Sequence, residues 1–367
     1  MSFPRVVLRA GRSCSAMPTR AFSVKSVARS AAEPSYKAPA LGVNKTFDEA
    51  LKVIAEDKAK RLADIKNMEA SLAQLIKAAP SAAKDTEIAA LKEKIFKQEA
   101  YAEINDPEIQ WQFKNNKNID MSKAVFRFMK GKQFKRETLP VIQQRTAQMF
   151  VTPDLLPTFT PSVNVQLDFG AGSIPEGTKL ADGYFETGSF LLPGKTIKEP
   201  KVNVTSFHPE QRYYTVALVD PDMPDVENET YKQQLHWLIA NVPLSATQTE
   251  LTKDNADVVL SYLAPHPPKG TKYHRYTLLL AEQPNNGQDK IQMDATQISR
   301  ETTLRDLCSH FKLEVKGLTF FRQVWDKDVS RIYKEVLQQD EPVYGNQPKV
   351  DELLDETGQK KKKFIHM

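Results

Sequence analysis

The C-terminal half of the chain predicts a mainly β domain, an antiparallel β-sandwich or barrel. The part in front of it predicts an α-helical extension. Three observations carry this. Strand-length runs recur from about residue 153, at 163–167, 201–204, 213–219, 235–240 and 276–281. Proline is abundant (23) and glycine modest (14), so stiff turns connect these runs. From Thr46 to Ile104 the apolar period is instead that of a helix.

The first thirty of the 367 residues hold Arg5, Arg9, Arg12, Arg20, Lys25 and Arg29, several serines and no acid. That is the composition of a mitochondrial transit peptide, and the arginines break any apolar core a secretory signal needs. Arg20-Ala-Phe-Ser23 suits a cut after Phe22, giving a leader over 1–22 and a disordered linker over 23–45. A generic basic tail is the alternative. The cut removes Cys14 and leaves Cys308, so no internal disulfide is expected and the mitochondrial matrix is the expected compartment. No run of 18 apolar residues occurs, so no membrane span is expected.

Residues 46–105 read as a helical hairpin. Thr46 and Glu49 form a capping-box pattern. Phe47, Leu51, Ile54, Leu62, Ile65, Met68, Leu72 and Ile76 fall on one face, interrupted by Lys58. After Pro80-Ser81 a shorter helix runs from about Thr86 to Ile104, with Ile88, Leu91, Ile95 and Ala102 on one side. Such a hairpin must pack on itself, on the neighbouring domain or on a partner protein.

Residues 106–152 form a basic aromatic segment. Between 114 and 145 nine basic residues face two acids, whereas 153–336 carries 19 basic and 24 acidic residues. Lys114, Lys117, Lys123, Arg127, Lys130, Lys132, Lys135 and Arg136 are the candidate RNA-binding cations, because cations on phosphates release counterions. Trp111, Phe113, Phe126, Phe128 and Phe134 lie among them and could stack on unpaired bases. The alternative is a solvated basic face whose aromatics are core. The tail, 337–367, ends in Lys360–Lys363 and reads as solvated.

Four stretches of the globular part, 153–336, stand out. They are Val219-Asp-Pro-Asp-Met-Pro224, His236-Trp-Leu-Ile-Ala-Asn241, Pro267-Pro-Lys-Gly-Thr-Lys-Tyr-His-Arg-Tyr276 and Gly317-Leu-Thr-Phe-Phe-Arg-Gln-Val-Trp325-Asp326. In this order and spacing they resemble the phosphatidylethanolamine-binding protein family. The resemblance implies a β-sandwich with flanking short helices. It also implies a ligand-binding pocket for a phosphate-bearing or other anionic group, built from Asp220, His236, His274 and Tyr276. An imidazolium and a phenol can donate to an anion, and an acid can fix a histidine tautomer. This sequence departs from the family at Gln234, where a wall-forming Trp is usual, and at Ala264 and His266, where glycines are usual. The pocket is therefore read as vestigial, with no small anionic ligand. The alternative is a soluble matrix protein that binds a lipid headgroup or nucleotide there.

Nothing in the chain reads as a catalytic residue or a cofactor loop. No Gly-x-Ser-x-Gly elbow or glycine-rich phosphate loop occurs, and Cys308 has an ordinary setting. The three histidines and Asp220 are read as hydrogen-bonded groups, not metal ligands.

Two stretches in front of or at the start of the domain, 105–113 and 153–161, resemble a fungal branch of the family found in the mitochondrial large ribosomal subunit. That implies a non-enzymatic structural role in mitochondrial translation, with large-subunit rRNA and mitochondrial ribosomal proteins as partners.

Overall fold

The computed structural model describes residues 36–77, 82–170 and 184–345. The leader 1–22, the linker up to residue 35 and the lysine-rich tail end lie outside the described residues.

Helix α1 spans Lys45–Lys77 and α2 spans Ala82–Glu103. The cap of α1 is Asn44, not the Thr46 the pattern suggests. Its side-chain oxygen accepts from Phe47 N at 3.3 Å, and Asp48 accepts from Gly42 N at 2.8 Å. The more buried positions of α1 are Leu51, Ile54, Lys58, Arg61, Ile65, Met68, Leu72 and Leu75. Their spacing alternates three and four, a coiled-coil seam that packs against α2. Leu62 and Ile76, expected on that face, are exposed, because a 3.5-residue seam selects positions 61 and 75 instead. Lys58 belongs to the seam and bonds Glu103 at 2.9 Å, while Arg61 holds Asp57 at 2.7 Å and Gln98 at 2.8 Å.

Helix α3, Pro107–Lys114, starts at Asp106, whose carboxylate accepts from Glu108 N. Helix α4, Ala124–Gln133, runs through a π turn, Phe134–Thr138, into α5, Leu139–Gln148. Pro140 has no N–H for the carbonyl four residues back and its ring crowds it, so the helix widens just ahead. Helix α2 packs on α4, where Phe96 and Tyr101 meet the Phe128 ring edge-on at 6.3 and 5.2 Å.

Among the described residues the globular part holds two antiparallel sheets. Strands β1 (Asn164–Asp168) and β2 (Lys201–Thr205) pair with each other. The larger sheet has the order β5-β4-β3-β6-β7, from β3 (Arg212–Asp225), β4 (Thr230–Leu244), β5 (Asp257–Leu260), β6 (His274–Glu282) and β7 (Glu314–Gln323). One face of it presents Val216, Leu218, Trp237, Leu278, Leu280 and Phe321 to Val165, Val202 and Val204 of the smaller sheet and to Val163 just ahead of it, which makes the sandwich. The close approach at β7 needs Gly317, since a Cβ there would meet Val163 and Val165 side chains at 2.7 Å.

The other face presents Ala217, Val219, Leu238, Leu279 and Phe320 to Phe134, Ile142, Val151, Leu155 and Leu307. Both faces are thus covered, which explains why 216–219 and 278–281 are apolar throughout. Phe134 and Ile142 also show that the core continues in front of residue 153, where the sequence suggests a boundary. Two short helices flank the sheets, α6 (Leu304–Phe311) and α7 (Lys327–Ile332). Among the described residues no helix is long and apolar enough to cross a membrane.

Candidate functional site

Strands β3, β4 and β6 bring Asp220, His236, His274 and Tyr276 together, and the loop after β5 adds His266. None of the five is more than 3% exposed. The His236 ring lies 5.1 Å from His266 and 5.2 Å from Tyr276 between centroids. The expected convergence occurs, but inside the protein rather than around an opening.

Hydrogen bonds fix the protonation states. His274 Nδ1 lies 2.8 Å from Asp220 Oδ2, and its Nε2 lies 3.0 Å from Thr271 Oγ1. The Thr271 hydroxyl donates to Pro268 O at 2.8 Å, so its oxygen accepts from His274. Both ring nitrogens of His274 then donate, which describes an imidazolium. Burial opposes that charge, but the Asp220 carboxylate outweighs burial and raises the His274 pKa. Burial likewise opposes the Asp220 charge, and His274 outweighs it, so the carboxyl is held low. The pair is internally neutral.

His236 donates from Nδ1 to Leu263 O at 3.0 Å, leaving Nε2 as a buried acceptor without a partner. Burial, followed by the neighbouring His266, lowers its pKa to about 3. His266 donates from Nδ1 to Ala264 O at 2.7 Å, and burial lowers its pKa too. Tyr276 Oη has no hydrogen-bond partner, although burial and the nearby Asp220 raise the phenol well above its usual range. The cluster therefore offers an anion no net positive charge, and His236 offers it a lone pair.

The sequence departures contribute to the closure. His266 fills space that a glycine leaves open, with its ring 5.3 Å from that of Tyr333. Tyr333 Oη donates to His266 O at 3.2 Å. Ala264 is buried, and Gln234, opposite Asp220 in the β3–β4 register, keeps a buried Oε1 without a partner. The segment after α7 then lies over the 266–271 loop, where Tyr344 N donates to Lys269 O at 2.8 Å. Gly270, at φ +89°, permits this, because a Cβ there would sit 2.0 Å from Tyr344 O. Glu341 ties the segment down by accepting from Trp325 and from Ser330 at 2.6 Å. Among the described residues no group of three or more His, Cys, Asp and Glu is arranged to hold a metal ion.

The candidate RNA-binding cations separate into groups. Arg127 leaves the set as a correction, being buried and donating to Met121 O at 3.1 Å and to Ser122 O. Its guanidinium lies 5.6 Å from the Phe96 ring, and burial lowers its pKa. Lys132, Lys135 and Arg136 are exposed at i, i+3 and i+4, and Lys132 Nζ sits 4.4 Å over Phe128. Lys114 and Lys130 line a groove of about 1080 Å³ with Trp111 and Phe113. Lys130 also bonds Asn116 at 3.0 Å. Lys123 is exposed at the start of α4, and Lys117 is half-buried. Phe126 and Phe134 are core and unavailable to a base, while Trp111, Phe113 and Phe128 remain half-buried.

Sequence reasoning missed Arg275 as an organiser. It grips Asp222 through Nε (2.9 Å) and Nη2 (2.6 Å), and its Nη1 reaches Asp154 and Met149 O, both at 2.8 Å. Asp154 lies in the 153–161 stretch that carried the ribosomal resemblance. That stretch thus docks the helical segment onto the sheet, with Arg305 adding a bond to Leu155 O at 3.2 Å.

Residues 171–320 match the family model described as phosphatidylethanolamine-binding protein. The chain is similar to large ribosomal subunit protein mL38 of Schizosaccharomyces pombe, 29% identical over 229 residues, 62% of this chain and 70% of that protein. It is also similar to protein TWIN SISTER of FT of Arabidopsis thaliana, 29% identical over 135 residues, 36% of this chain and 65% of that one. Among solved structures, a phosphatidylethanolamine-binding protein from Plasmodium vivax gives a TM-score of 0.40 at 18% identity, covering 50% of this chain and 97% of the other. The carboxypeptidase Y inhibitor in complex with its cognate proteinase gives 0.42 at 18%, covering 52% and 98%. A match of 229 residues is longer than the whole stretch from 171 to the C-terminus, so it begins ahead of the family model. Residues 171–320 thus match the phosphatidylethanolamine-binding-protein model, and the similarity of the chain to a ribosomal protein extends beyond that match.

Proposed function

We propose that this protein is a structural, non-enzymatic component of the mitochondrial large ribosomal subunit, imported into the matrix by residues 1–22. The observation that carries this is the similarity to a large-subunit protein, which takes in residues ahead of the domain. The docking of the 153–161 stretch gives those residues a physical role. The cationic faces of α3–α5 meet rRNA, through Lys132, Lys135 and Arg136 on one side and Lys114 and Lys130 on another. Other faces meet ribosomal proteins. The domain serves as a scaffold, because its inherited polar cluster is buried and charge-balanced.

Sedimentation of the tagged protein from a mitochondrial lysate tests this, with a Lys114, Lys132, Lys135 and Arg136→Gln variant beside it. Deleting residues 106–150 is a poor test, since it would strip Phe134 and Ile142 from the core. Co-migration with the large subunit is expected, and it weakens in the variant. A free monomer at every salt concentration would overturn the proposal.

A further inference from the structure

We propose that the groove between the β3–β4 turn and the 270–275 loop docks a basic peptide segment of a neighbouring protein, seated by an apolar side chain. The groove holds about 850 Å³ and is separate from the buried cluster, touching it only at His274. Four large side chains line it while facing solvent: Phe150 at 66%, Val226 at 70%, Tyr231 at 70% and Tyr273 at 39% exposure. Single exposed apolar residues need no explanation, but four around one concavity mark an interaction surface.

The backbone holds the first of them outward. Phe150 has φ 52° and ψ 27°, a left-handed conformation that disfavours bulky residues by about 1–3 kcal/mol. The flanking bonds maintain it, because Arg275 clamps Met149 O and Asp154 on either side of Phe150.

Charge selects the occupant. Arg275 pairs with both Asp154 and Asp222, which leaves one of their two negative charges uncompensated. Asp225, Glu227 and Glu229 follow one another around the turn, and the nearby Lys232 is committed to Glu301 at 2.5 Å. Lys272 is the exposed cation left on the lining. Asp225 and Glu229 on the lining, beside exposed rings, repel a phosphate backbone and attract lysine or arginine, whose planar or aliphatic parts also pack on the rings. The occupant is therefore a peptide carrying basic residues around one aromatic or aliphatic anchor, not RNA. The groove and the α3–α5 face are surfaces of opposite charge, suited to different partners.

The test uses the full chain and fluorescein-labelled peptides read by anisotropy. The probe is Lys-Arg-Phe-Lys-Arg, with Glu-Glu-Phe-Glu-Glu and Lys-Arg-Ala-Lys-Arg as controls. The first peptide is expected to bind at least tenfold tighter than either control. Tyr231→Ala and the Asp225→Asn, Glu229→Gln pair each weaken it several-fold, and an rA10 oligonucleotide does not displace it. Equal affinity for the acidic control, no binding at millimolar peptide, unchanged affinity in the variants, or displacement by rA10 would overturn the proposal. A Tyr231→Cys variant gives a second readout in isolated large subunits. Its maleimide labelling is expected to be slowed relative to the free chain, before and after RNase. Labelling at the free-chain rate, or protection that disappears with RNase, would also overturn it. The peptide measurement does not depend on the ribosomal role, and co-sedimentation on the same gradients reports failure of that role separately.

Discussion

Replacing Asp220 by alanine leaves the His274 imidazolium buried without its counter-charge. Both side chains are no more than 1% exposed, and the bond between them is 2.8 Å, so solvent screens little of the loss. Removing one partner of such a pair costs about 3–5 kcal/mol. Tyr276, in the same cluster and equally buried, gives the opposite expectation. Its Oη has no hydrogen-bond partner, so Tyr276→Phe removes an unsatisfied group and is neutral or stabilising by up to about 1 kcal/mol. Urea unfolding of the two variants reads both values from their midpoints. Adding His274→Gln to Asp220→Ala recovers part of the loss, because the orphaned charge is gone. A functioning anion pocket would respond differently, with Tyr276→Phe abolishing saturable binding of phosphoethanolamine. An Asp220→Ala cost no larger than that of Tyr276→Phe, or saturable binding of that ester by the wild-type chain, would contradict this closed, charge-balanced cluster.

The same cluster sets a pH dependence. His236 titrates at about 3 when folded and near 6.5 when unfolded, so the unfolded chain binds the extra proton between these values. Stability is expected to fall with decreasing pH across that window, at up to about 1.4 kcal/mol per unit, and His236→Gln should flatten the slope. His274 has the opposite sign. Its raised pKa gives stability that is full below about 6.5 and lost as pH rises through the folded value, whereas Asp220, held low, loses its contribution in acid. In RNA binding, Lys132→Gln, Lys135→Gln and Arg136→Gln together should make the slope of log affinity against log salt shallower, by about 0.7 for each single-strand phosphate the variant no longer neutralises. Arg127→Gln should leave that slope unchanged and lower stability by about 1–3 kcal/mol, since it orphans two backbone carbonyls under α4.

The strands of the sheet core are legible because burial on both faces writes itself as continuous apolar runs, as at 216–219 and 278–281. The hairpin is legible for a similar reason, with its seam off by one residue at Leu62 and Ile76, where a 3.6-residue count departs from a 3.5-residue seam. Strand β5 is not legible, since four residues on a sheet edge carry too little period. The motifs name four residues that the fold brings together, but their enclosure is not legible. Closure depends on Tyr333, Tyr344 and Glu341, which lie some 60 to 120 residues further along the chain from the groups they cover. Arg127 is misplaced by sequence because cationic composition says nothing about tertiary burial, and its setting is made by Phe96 of a different helix.

We propose that this domain is part of a ribosomal particle. Gradient sedimentation of the tagged chain from a mitochondrial lysate, with and without RNase, measures it directly. The expected result is migration with the large subunit and release when the rRNA is digested. Migration as a free monomer in both gradients, at low as well as high salt, would contradict the claim.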